Sequence, residues 1–274
     1  MSQTTTVPPV SPGPSPVRQV AGLRTPLRVL GVGLSLLLVA WGALTLVSLL
    51  ARTTEQRSAT YDGVRVLELD VGFESAQIVG SADATSVSMT RSYTWSMGKP
   101  VVGNRRDGDV LSITSSCPFS VGLGCSGRIR LVVPHDVEVR AQTGDGSLSV
   151  RDLDGTAHLS ASDGSIRMTN LTGRVTLHSS DGSIEATGLR SDRVGVTTSD
   201  GSVRLGFDIA PTSLTATSSD GSVEIVVPRD GTAYDMTVTT SDGSRNVSVP
   251  TRSGSAHRME LHSSDGSIRV TDRP

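Results

Sequence analysis

The sequence predicts an all-β fold: a single-stranded parallel β-solenoid of about 18–23 residues per coil, with irregular opening coils, behind one N-terminal transmembrane α-helix. Three observations predict it. Asp-Gly-Ser recurs seven times, preceded by Ser in six copies and by Gly in one. The residues flanking each copy alternate apolar and polar with period two, the mark of a strand with one buried face. Ahead of them, Val29–Ala51 runs 23 residues without a charge.

The elements follow in chain order. Residues 1–26 hold six of the thirteen prolines, and residues 1–28 carry Arg18, Arg24 and Arg28 with no acid. Such a stretch buries too little apolar surface to offset its ordering entropy. It reads as a disordered, Pro-rich cytoplasmic tail. Val29–Ala51 would make a helix about 34 Å long, enough for a bilayer core of about 30 Å. A cleaved signal peptide is the rival, but its apolar region runs roughly 7–15 residues. The arginine bias before the run predicts the N-terminus in the cytoplasm and the C-terminal domain outside it. Residues 52–60 read as a linker.

Residues 61–135 read as irregular β opening coils. Strand patterns appear in VRVLELDV (64–71), SVSMT (86–90), DVLSIT (109–114) and RIRLVVP (128–134). A solenoid needs a non-standard first coil to cover its open end. The only cysteines, Cys117 and Cys125, bracket a turn-rich loop. Outside the cytoplasm a close pair reads as a disulfide; two free thiols and a metal pair are the alternatives.

Residues 136–274 read as the Asp-Gly-Ser solenoid. The aspartates are Asp145, Asp163, Asp181, Asp200, Asp220, Asp242 and Asp265, at spacings of 18, 18, 19, 20, 22 and 23. The drift predicts loop insertions in the later coils. Aligned on the aspartate, positions −6, −4, −2, +3 and +5 are apolar or small, except for Arg245 in the +3 column. Arg245 predicts a bulge or a locally broken register. Coil-over-coil stacking makes each column a continuous ladder. An up-and-down antiparallel sheet is the alternative, because Asp-Gly is also a hairpin signal. Small aliphatic inward residues predict an interior too narrow for rings.

The turn has an expected mechanism. Gly146, Gly164, Gly182, Gly201, Gly221, Gly243 and Gly266 would supply φ > 0. Each aspartate would accept a hydrogen bond from a backbone N–H two residues on. The following serine would bond to the neighbouring coil's backbone. Seven stacked carboxylates repel, so the file belongs on an exposed edge or bridged by polar groups.

These features resemble a known family, the bacterial putative adhesins of the β-strand-repeat type. The residues that carry the resemblance are RLVVP at 130–134, GDGSLSV at 144–150 and the serial SDGSI and SDGSV units from 162 to 270. It covers roughly residues 61–274. It implies a repeat β domain, often found behind one transmembrane helix, with no family active site.

The chemistry is sparse. With 25 basic and 27 acidic residues the net charge is −2, which excludes the basic field that binds nucleic acid. Aromatics make up 3 % of the chain. His135, His158, His178, His257 and His262 form no ligand pair and read as solvated strand-face residues. No cofactor motif, metal motif or catalytic set stands out. The aspartate file reads as a structural turn ladder, with calcium binding as its rival. The expected function is a non-enzymatic, adhesin-like binding or scaffold protein of the bacterial envelope. Its partners would be the membrane, through residues 29–51, and an envelope protein or wall polymer. The alternatives are a polysaccharide-active solenoid enzyme and an envelope-stress sensor.

Overall fold

The computed structural model describes residues 31–43, 53–96, 98–118 and 125–273. They fall into two units, residues 1–50 and 51–274. In the first, residues 31–43 form helix α1, exposed along its whole length. At 1.5 Å per residue it is about 20 Å long. Among the described residues no helix is long and apolar enough to cross a membrane. The rest of the predicted span 29–51, and the predicted tail 1–28, lie outside the described residues.

The described residues of the second unit are all strand and turn. In chain order it contains β1 (Thr53–Asp62), β2 (Val66–Val71), β3 (Glu74–Ser81), β4 (Ser86–Trp95), β5 (Val101–Asp107), β6 (Val110–Ser116) and β7 (Ser126–Pro134). The repeat region follows with β8 (Glu138–Thr143), β9 (Leu148–Leu153), β10 (Ala157–Ala161), β11 (Ile166–Leu171), β12 (Val175–Ser179), β13 (Ile184–Leu189) and β14 (Arg193–Thr198). It ends with β15 (Val203–Phe207), β16 (Ser213–Ser218), β17 (Val223–Val227), β18 (Asp235–Thr240), β19 (Arg245–Val247), β20 (Arg258–Ser263) and β21 (Ile268–Asp272). Most of the expected linker 52–60 is therefore strand. β1 pairs antiparallel with β4, and Ala59 and Tyr61 pack against the core.

Each coil gives one strand to each of two sheets. One sheet runs β1-β4-β7-β3-β9-β11-β13-β15-β17-β21-β19, the other β18-β20-β16-β14-β12-β10-β8-β2-β6-β5. Within the repeats every pairing is parallel, and all stay in register except β13–β15, which shifts after Ala186: Leu159 stands beside Ala141 and Leu177, and Met168 beside Val150 and Ala186. The expected coil-over-coil stacking holds, and the hairpin alternative does not. Among the described residues antiparallel pairing occurs only where β1, β4 and β5 close the opening end.

Chain order and spatial order differ at both ends. The coil β2/β3 lies inside β6/β7, and the last coil, β20/β21, lies between β16/β17 and β18/β19. The sixth Asp-Gly-Ser copy is thus outermost and the seventh sits beneath it. The long spacings of 22 and 23 around Asp242 have this cause. Residues 228–234 and 248–257 must carry the chain over one coil and back, a step of about 10 Å at strand spacing. Arg245 is explained too. Its coil is the terminal one, so its guanidinium covers the open end and donates to the Val238 carbonyl at 3.1 Å.

The core is the space between the sheets, filled by Leu, Ile, Val, Ala and Met from every coil. Fully burying each larger aliphatic side chain contributes roughly 1.5–3 kcal/mol. Rings are not excluded as the sequence suggested. Phe207, Tyr93 and Tyr234 are buried. Phe207 lies at a strand end, beyond the point where the β13–β15 register shifts.

The glycine ladder has a different cause from the expected one. None of the seven Asp-Gly-Ser glycines has φ in the left-handed region. Instead a Cβ added at Gly182 would lie 2.1 Å from the Gly164 carbonyl oxygen, and one at Gly201 would lie 2.1 Å from that of Gly182. Turns stack so closely that only hydrogen fits. Left-handed backbone occurs at the opposite corner, in register, at Asp152, Asn170 and Gly188. These are residue types that tolerate it.

Candidate functional site

The Asp-Gly-Ser turns form one continuous edge. Backbone amides of each turn donate to carbonyls of the next: Asp181 N–H to Ser162 O, Asp200 N–H to Ser180 O, Asp265 N–H to Ser219 O and Asp242 N–H to Ser264 O. In the later turns the hydroxyl two residues before the aspartate does the capping expected of the carboxylate. Ser218, Thr240 and Ser263 accept from the N–H of Gly221, Gly243 and Gly266 at 3.0–3.1 Å. Several of these hydroxyls also donate to the coil beneath, as Ser263 does to Gly221 O at 3.2 Å. The serine after glycine joins coils through its carbonyl: Ser165 O accepts from Leu148 N–H and Ser183 O from Ile166 N–H.

All seven aspartates are exposed. Their repulsion is visible at the centre of the file. The Asp181 carboxyl is raised above its ordinary value, first by a hydrogen bond with Asp163, then by desolvation and by the charge of Asp200. Among the described residues no group of three or more His, Cys, Asp or Glu is placed to hold a metal ion. Cys117 and Cys125 are joined by a disulfide, with their Cα atoms 5.9 Å apart.

A second surface has more varied chemistry. On the ten-stranded sheet the outward residues of β6, β2, β8, β10 and β12 line up in two rows. One row is Ser112, Glu68, Arg140, His158 and Thr176; the other is Thr114, Asp70, Gln142, Ser160 and His178. They line an open, shallow concavity of about 520 Å³. Arg140 anchors it, 3.2 Å from Glu68 and 2.8 Å from Glu138. Glu138, then Glu68, raises its already high pKa. The surface offers hydroxyl, amide, imidazole and carboxylate groups at regular strand spacing. That pattern suits a polar, extended partner laid across the strands. Three of the five histidines, His158, His178 and His262, are exposed on this face, whereas His257 contacts the Pro211 carbonyl at 2.9 Å and His135 lies 3.5 Å from Asp154.

A family model matches residues 51–273. The chain belongs to the Toastrack DUF4097 family. No curated protein matches it. Solved structures similar to this Toastrack chain include a putative cell adhesion protein from Clostridium sporogenes, 12% identical over 81% of this chain and 100% of that one, with a TM-score of 0.36. A putative lipid binding protein from Parabacteroides distasonis is 14% identical over 81% and 97%, at 0.42. A putative adhesin from Parabacteroides merdae is 12% identical over 81% and 97%, at 0.33.

Reading the sequence did not find the two polar rows of this Toastrack face. It treated their residues only as the polar half of the alternation. It also missed the buried ion pair of Glu74 and Arg91, 2.7 Å apart. One half of that pair left a signal: Glu74 stands where the repeat turns carry the Asp-Gly-Ser glycine, and a Cβ added at Gly146 would lie 1.9 Å from its carbonyl oxygen.

Proposed function

We propose that this Toastrack domain is a non-enzymatic binding rod of the bacterial envelope. It is tethered by a single span at residues 29–51, with its N-terminus cytoplasmic and the rod outside. The observation that carries the binding role is the pair of polar rows on the ten-stranded sheet. Functional groups repeat there at a fixed spacing on a rigid scaffold, which favours a long polar partner over a small substrate. The tether is supported by the uncharged run between Arg28 and Arg52. The placement outside the cytoplasm is supported by the Cys117–Cys125 disulfide, a bond that persists in oxidising compartments.

The test uses the full chain in detergent as bait against solubilised envelope proteins and purified wall polymers. Retention of one component, reduced by His158→Ala with Gln142→Ala, supports the reading. Retention of none above background defeats the binding role. The tether is tested separately, by adding protease to intact cells. Cleavage of the rod from outside is expected, and full protection refutes the orientation.

A further inference from the structure

This inference rests on the proposed tether and concerns what the base of the rod touches. The uncharged run ends at Ala51 and β1 begins at Thr53. Two residues span at most about 7 Å. The β1–β4 register sets Trp95 directly opposite Thr53 and Tyr93 opposite Glu55. Directly opposite residues lie about 5 Å apart. Trp95 is therefore held close to the point where the chain would leave the bilayer.

Three side chains there have the character of a membrane interface. Trp95 is half-buried, its ring stacked on Tyr93 at 5.5 Å. Lys99, the only lysine of the chain, sits 5.5 Å over the Trp95 ring and 2.9 Å from Glu55. Val101 opens the edge strand β5 with 65% of its surface exposed. The chain has two tryptophans: Trp41 lies inside the uncharged run, and Trp95 stands opposite Thr53, two residues past its end. Tryptophan combines an apolar body with a polar N–H and favours the headgroup level, and lysine extends its ammonium to the same layer.

We infer that Trp95, Lys99 and Val101 seat in the lipid headgroup layer and hold the opening end of the coil stack against the bilayer. The tether then does more than retain the rod. It works with a second, lateral contact that fixes the rod's angle to the membrane.

The experiment places the full chain, carrying Trp41→Phe so that Trp95 is the sole tryptophan, in phosphatidylcholine vesicles with acyl chains brominated at shallow or deep positions. Flotation with the vesicles reads the tether, and quenching reads the contact. The expected result is flotation with strong loss of Trp95 emission from shallow bromines and less from deep ones. Flotation with unquenched emission overturns the inference and leaves the tether standing. Failure to float overturns both. Val101→Cys carrying a polarity-sensitive dye gives an independent reading in the chain with Trp41 intact. A blue shift on adding vesicles is expected there, and an unchanged spectrum counts against the contact.

Discussion

The two ends of the coil stack meet the same problem with different chemistry. Each end would leave unpaired strand edges and an open apolar interior, a template for aggregation. The opening end adds three antiparallel strands, a disulfide loop and a buried ion pair. Arg91 reaches inward from β4, and both its Nε and Nη2 donate to one carboxylate oxygen of Glu74. The closing end adds no antiparallel strand. It places the sixth repeat outermost, thins that coil's apolar face to Met236 and Val238, and lays Arg245 across the opening. What they share is the transposition of one coil. The first and last coils in sequence are each clamped between two others, so neither terminal coil can peel away from an edge. The difference teaches that a repeat can become its own cap by a change of order and one charged residue, whereas a non-repeat end needs dedicated parts.

The largest effect should come from breaking the dedicated parts. Arg91→Ala leaves Glu74 charged and buried without its partner, which is expected to cost about 3–5 kcal/mol. Arg245→Ala at the other end removes an exposed side chain, with an expected effect within about 0.5 kcal/mol. Urea denaturation of both variants measures the contrast. Equal losses would mean that the two ends are built alike. A smaller but clear effect is expected from Cys117→Ser with Cys125→Ser. The disulfide spans a sequence separation of 8, and opening a loop of that size is expected to cost about 2–3 kcal/mol. Melting with and without reductant checks it: the wild type should fall to the level of the variant, which reductant leaves unmoved.

The middle of the stack was largely legible in the sequence because its determinants are local and repeated. Period two gave the strands, Asp-Gly gave the corner, and equal offsets gave the parallel register. The ends were not legible because their determinants are pairings between distant residues. Glu74 stands in the glycine column of the turns, but its partner Arg91 belongs to no column. The transposition did leave traces. Outward charges alternate along the eleven-stranded sheet, with Arg167 bonded to Glu185 and Arg204 to Glu224. The next partner of Glu224 in space is Arg269, not Asn246, which follows it in the repeats. Arg245 in an apolar column was a second trace. Both could have been read as an exchange of the last two coils. The glycine mechanism was misread for a general reason: Asp-Gly carries two possible explanations, backbone freedom and close approach, and only the neighbouring coil decides between them.

That close approach gives the next prediction. Gly182 lies mid-stack, with turns on both sides, so Gly182→Ala forces two neighbours apart and is expected to cost about 1–3 kcal/mol. Gly243 would place a Cβ 2.1 Å from Gly266 O, yet its own coil is outermost and can shift outward. Gly243→Ala should cost less than Gly182→Ala when the two are compared by urea titration. If the order reverses, the outermost coil is more rigid than its sparse packing implies.

The smallest effects separate the turn file from the opening end by the sign of their pH dependence. The raised Asp181 carboxyl binds its proton more readily folded than unfolded. Its favourable contribution is therefore present in acid and is lost as pH rises through its folded value. Glu55 is the opposite case. Lys99 and then Arg57 lower it from 4.5 to about 2, so its contribution is present above 4.5 and fades as pH falls toward 2. Asp181→Asn should raise the melting temperature slightly at neutral pH and low salt. The gain should shrink as salt screens the file, and vanish in acid, where the wild-type carboxyl is neutral as well. Glu55→Gln should do the reverse, lowering the melting temperature at neutral pH and leaving it unchanged near pH 2. Thermal melts of the two variants from pH 2 to 7 decide the matter: the same sign at neutral pH would mean that the stacked carboxylates do not oppose one another.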